Sequence, residues 1–140
     1  MLASLTAALM MTALAQSGEG WVWTYYDNDG SAVLAREVPD TERLSAVLEC
    51  TPGSGMARVT VYGPEGRPDF VNVSAGEVSA DAERVEGDGL AVRLRLDHPV
   101  MQAFGRGAAL TFSAGDEAAS APAPGGEAFA RFRTACGAGT

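Results

Sequence analysis

Short runs of alternating apolar and polar residues, cut at close intervals by Gly, Pro, Asn and Asp, constrain this chain more than any other feature. A side-chain period of two belongs to an extended strand with one buried face. Turn-forming residues between such runs imply successive antiparallel strands rather than helices. Leu90, Val92, Leu94 and Leu96 alternating with Ala91, Arg93, Arg95 and Asp97 is the cleanest instance. Residues 43–50 repeat it with Leu44, Ala46, Leu48 and Cys50 on one face, which directs Cys50 toward the core. Further strands are predicted over 21–26, 32–38, 56–62, 70–74 and 108–113, with turns at 27–30, 51–55 and 63–66. Glu77, Asp81, Glu83, Glu86 and Asp88 mark 77–88 as a solvated strand or loop.

Helical spacing is confined to two places. Asp97, two residues before Pro99, is the expected cap of a short helix running to Phe104 and closed by Gly105. Phe129, Phe132 and Cys136 share one face of a helix predicted over 127–136, with Gly137 as its stop. The Ala, Pro, Gly and Ser of 115–126 read as a loop between them. The fold expected is a single, mainly antiparallel β domain over 16–140. It is a sandwich or partly closed barrel of roughly seven strands with a C-terminal helix packed on it.

Residues 1–15, MLASLTAALMMTALA, carry no charged side chain. The run is too short to span a bilayer and suits the apolar region of a secretory signal. Ala13, Leu14 and Ala15 supply the small-x-small cleavage pattern that would leave Gln16 first. The signal lacks the usual Lys or Arg at its start, and no cysteine follows it to take a lipid anchor. After cleavage no membrane span remains, and a periplasmic or secreted location is expected. In that compartment Cys50 and Cys136 are expected to form a disulfide, since nothing there keeps thiols reduced. One cysteine faces inward from a strand and the other from the terminal helix, so the bond would staple helix to sheet.

The charge balance excludes several partners. Eighteen acids against ten basic residues, all of them Arg, leave a net charge of −8. Nucleic acid and anionic membrane surfaces both require a basic footprint that this chain does not have. Motifs for chemistry are equally sparse. His98 is the single histidine, and no ligand spacing accompanies it, so neither a metal site nor a cofactor is expected. Ser54 lies in Pro-Gly-Ser-Gly, outside the G-x-S-x-G elbow. Asp27, Asn28, Asp29 and Gly30 recur in calcium loops, but aligning Gly30 puts Tyr25 and Arg36 at ligand positions, so a hairpin turn fits better. No catalytic residue is assigned.

Trp21, Trp23 and Tyr25 are the candidate ligand-stacking face, because period-two spacing puts all three on one side of the first strand. Burial in the core is the favoured alternative for them. The stretches Leu48-Glu49-Cys50-Thr51-Pro52-Gly53-Ser54-Gly55 with Val59-Thr60-Val61, and Phe129-Ala130-Arg131-Phe132-Arg133-Thr134-Ala135-Cys136-Gly137, resemble a group of short exported proteins of Gram-negative bacteria without assigned function. The resemblance implies a shared fold and export, and carries no active-site residue across. The expected role is a non-enzymatic envelope module binding a partner protein or a cell-wall component. The alternative is a small hydrolase using carboxylates such as Asp81, Glu83 or Asp97 on an envelope substrate.

Overall fold

A computed structural model describes residues 20–137. The proposed signal segment 1–15 and Gln16 lie outside the described residues. The chain forms strands β1 (Val22–Asn28), β2 (Ser31–Glu37), β3 (Leu44–Cys50), β4 (Met56–Val61), β5 (Phe70–Ala75), β6 (Val78–Val85) and β7 (Leu90–Arg95). Helix α1 (Pro99–Gly105), strands β8 (Leu110–Ala114) and β9 (Glu117–Ala121), and helix α2 (Gly126–Cys136) complete it. The strands make one antiparallel sheet in the order β1-β2-β3-β4-β7-β6-β5-β8-β9. The sheet does not close, so the mainly β fold with a C-terminal helix holds, with nine strands rather than seven.

Strand β6 divides the sheet. Residues Val78–Glu83 of β6 pair with β5, while Arg84 and Val85 pair with Val92 and Ala91 of β7. The ladder therefore changes partner along one strand, and the two halves of the sheet share a single core. Leu34, Leu48, Val59 and Val92 from one half meet Val71, Val73, Leu110 and Phe112 from the other, all essentially inaccessible. Helix α1 packs on β5 and β6, and α2 packs on β1 and β2. The two helices also touch each other, and Val100, Met101, Phe104, Phe129 and Phe132 fill the interior between the sheet halves.

Three expectations need correction. Residues 115–126 are not all loop, because Glu117–Ala121 forms β9 against β8, with Gly115 at φ 59 making the turn. Its Ala-rich sequence has little intrinsic strand preference, so register with β8 rather than propensity makes it a strand. The acidic stretch, by contrast, is the solvated strand expected as one of its two readings: β6 exposes Ser79, Asp81 and Glu83 and turns Val78, Ala80 and Ala82 inward. Leu44 is 40 % exposed, because the β2–β3 ladder shifts register between Arg36 and Glu37 and Leu44 lies beyond the shift. Finally, the cap of α1 is His98 and not Asp97. The His98 Nδ1 accepts the Val100 N–H at 3.0 Å, while Asp97 turns back to Arg95. Replacing His98 by Ala should cost about 1 kcal/mol in a chemical denaturation midpoint, the usual effect of losing a helix cap.

The helices cross closely at Gly105. A Cβ there would stand 2.5 Å from Cε2 of Phe129, a ring itself 5 % exposed. Gly105→Ala should therefore push the Phe129 ring and destabilise the fold by roughly 1–3 kcal/mol, the range for overpacking a core. An unchanged unfolding midpoint would mean that the crossing is looser than this contact implies.

Candidate functional site

Several chemistry-bearing residues meet where the last turn of α2 packs against the β3–β4 turn. Cys50 ends β3 and Cys136 ends α2, and the two are joined by a disulfide with their Cα atoms 5.8 Å apart. Both are buried. The Gly53 and Gly55 N–H groups donate to the Ala135 and Cys136 carbonyls at 3.3 and 3.1 Å, so the turn satisfies carbonyls that a helix end leaves unpaired. The Gly55 carbonyl accepts the Leu96 N–H at 2.9 Å, tying in the end of β7 as well. The predicted staple between strand and terminal helix is present, and hydrogen bonds reinforce it.

Beside this junction lies a cavity of about 760 Å³. Ala130, Arg133, Thr134 and Gly137 form one wall, since their spacing places them on a single flank of α2. Arg95, Leu96, Asp97 and Gly55 form the other. Arg95 Nε and Nη donate to the two Asp97 oxygens at 2.8 and 2.7 Å, a bidentate pair. These hydrogen bonds hold the Asp97 carboxyl below its ordinary range, with the Arg95 charge adding to the effect, and they raise Arg95 in turn. Because the folded value is lowered, the pair's contribution is present above the ordinary carboxylate range, near pH 4, and is lost as pH falls through the lowered value. Asp97→Asn should therefore lower stability slightly at neutral pH, as the pair is solvated, and leave it unchanged in acid, so that the acid limb of a stability profile flattens by that same small amount.

The carboxylates considered for hydrolysis do not converge. Asp81 and Glu83 stand exposed on β6, with Asp81 accepting from the Asn72 amide at 3.1 Å, while Asp97 faces the cavity with Arg95. The cavity thus holds one carboxylate, kept ionised, whereas acid-base cleavage of a glycosidic bond needs two across a cleft, one of them able to deliver a proton. Ser54 Oγ accepts the Met56 N–H at 3.3 Å and belongs to its turn. Among the described residues no group of three His, Cys, Asp or Glu is placed to hold a metal ion.

Of the three aromatics, Trp23 and Tyr25 lie on the inner side of β1 and Trp21 immediately precedes the strand. Trp23 is half-buried, meets Phe104 edge-to-face at 6.0 Å and donates from Nε1 to the Pro122 carbonyl at 3.1 Å. Tyr25 packs on the core with Arg131 4.8 Å from its ring centre, and it lines a shallow groove of about 420 Å³ beside α2. Trp21 lies beneath Arg36 and Arg43, at 5.3 and 5.0 Å. On the opposite face Tyr26 donates to the Glu37 carboxylate, which raises its phenol above the ordinary value. Burial, followed by the negative charges of Glu49 and Asp88, raises Tyr62 likewise.

Sequence reasoning did not single out the cavity at the end of α2, the cap role of His98 or the exposure of Phe70. For the cavity, the i, i+3, i+4 spacing of Ala130, Arg133 and Thr134 was a readable signal, but its opposite wall comes from a strand far away in sequence. The chain matches no known protein family, curated protein or solved structure. Among the described residues no helix is long and apolar enough to cross a membrane.

Proposed function

We propose that this chain is an exported, non-enzymatic binding module of the bacterial envelope, recognising a partner protein or a cell-wall component. The observation that carries the reading is the buried Cys50–Cys136 disulfide, since such bonds persist in oxidising compartments and are rare in the cytosol. The apolar segment 1–15 with its Ala-Leu-Ala end supports export, as does the resemblance to short exported Gram-negative proteins. The separation of Asp81, Glu83 and Asp97 supports a binding role over hydrolysis.

Fractionation of cells expressing the full chain tests this reading, with thiol alkylation under denaturing, non-reducing conditions. The expected product appears in the periplasmic or secreted fraction, begins at Gln16 and takes up no alkylating group. A full-length cytosolic protein with two modified cysteines would overturn it, as would side-chain-dependent turnover of an envelope substrate.

A further inference from the structure

We propose that the outer face of β6, β5, β8 and β9 is a docking surface for a glycan chain that carries no anionic groups. This rests on the reading of the chain as an envelope binding module and names the chemical class of its ligand. Strand register builds the face in rows. Ser79, Ser74, Thr111 and Ser120 are successive cross-strand neighbours, with the Thr111 and Ser120 hydroxyls 2.9 Å apart. One step along the strands, Asp81, Asn72 and Ser113 make a second row, joined by the bond from the Asn72 amide to Asp81. A further step brings Phe70 beside Glu83. Phe70 is 63 % exposed, the highest value among the exposed large apolar side chains of the described residues.

The composition selects the partner. Protein interfaces are depleted in Ser, Asp, Glu and Ala relative to the remaining surface, and these residue types dominate this face. Its charges are Asp81 and Glu83, with no Arg in the three rows, so the face is complementary to a neutral or amine-bearing chain and repels a polyanion. Hydroxyls, an amide and a carboxylate side by side offer donors and acceptors to neighbouring sugar hydroxyls. The exposed face of Phe70, with its negative quadrupole, receives the C–H side of a pyranose ring. Strands about 4.8 Å apart carry the hydroxyl row roughly 14 Å across the sheet, room for a few sugar units. The stacking role considered for Trp21, Trp23 and Tyr25 thereby falls to an aromatic on the opposite half of the sheet.

The test is amide-resolved NMR of the oxidised mature chain titrated with the N-acetylglucosamine hexamer and with cellohexaose. An alginate oligomer and an oligo-arginine peptide serve as contrasting probes. Shifts from at least one neutral hexamer, confined to β5, β6, β8 and β9 and absent with alginate, are expected. Phe70→Ala should weaken that binding at least tenfold and Phe70→Trp should retain it. Asn72→Ala should weaken it severalfold, and unchanged far-ultraviolet circular dichroism in each variant shows that the fold is intact. No shift with either neutral hexamer, shifts mapped to the cavity beside Arg133, or a response to oligo-arginine alone would overturn the proposal. Those outcomes leave the envelope assignment standing. A cytosolic, reduced protein would remove that assignment whether or not a glycan binds.

Discussion

Replacing both Cys50 and Cys136 by Ser is expected to lower the unfolding free energy by about 4–5 kcal/mol, the largest effect of any change at this junction. The bond closes a separation of 86 residues, and the chain-entropy relation for a loop of that length gives this magnitude when the denatured chain loses its constraint. Domains of this size are commonly stable by about 5–15 kcal/mol, so the loss takes a large share of the total. The melting temperature should fall by roughly 15 °C, following the usual proportion between free energy and midpoint. Reduction should also act locally before it acts globally. The last turn of α2 is held by the disulfide and by the Gly53 and Gly55 N–H groups, while its outward flank of Ala130, Arg131, Arg133 and Thr134 is exposed. Hydrogen exchange at Phe132–Cys136 should therefore accelerate before exchange at Val59 and Val92 in the central strands. Equal acceleration at both places would show that the staple stabilises the domain only as a whole.

The strands legible in the sequence were those in which one face is fully buried. Leu90, Val92 and Leu94 point inward as their alternation requires, as do Ala46, Leu48 and Cys50 beyond the register shift. In β9 the same reasoning had nothing to work on. Its Glu-Ala-Ala-Ser-Ala sequence buries Ala121 and little else, and the strand exists because the edge of β8 offers it hydrogen-bond partners. The cap of α1 shows a different limit. Asp97 and His98 both precede Pro99, and the choice between them depends on Arg95, two residues earlier on β7, which engages the Asp97 carboxylate. The cysteine pair was readable because each half lay on a face already defined by periodicity. The cavity joins a helix flank to a strand end through Gly55, and the Phe70 face arises from pairing among four strands. Such sites depend on tertiary adjacency, which a single sequence does not encode locally.

Phe104→Ala should be the most damaging single core substitution, at about 3–5 kcal/mol. Phe104 is fully buried on α1 and stands between Trp23 of β1 and Phe129 of α2, edge-to-face with both at 6.0 and 5.8 Å. The one ring thus links the first strand, the short helix and the terminal helix. Its removal opens a cavity and deletes two aromatic pairs, each commonly worth about 0.5–1.5 kcal/mol beyond area burial. Phe70→Ala supplies the contrast: the same residue type, 63 % exposed, should change stability by less than about 0.5 kcal/mol. Chemical denaturation of the two variants measures the difference directly. A Trp21→Phe background isolates Trp23, whose emission should shift to the red when Phe104 is lost, because its ring no longer has an apolar partner on that side. Equal stability losses in the two variants would contradict the division drawn between them, in which Phe104 organises the core and Phe70 is left to meet a ligand.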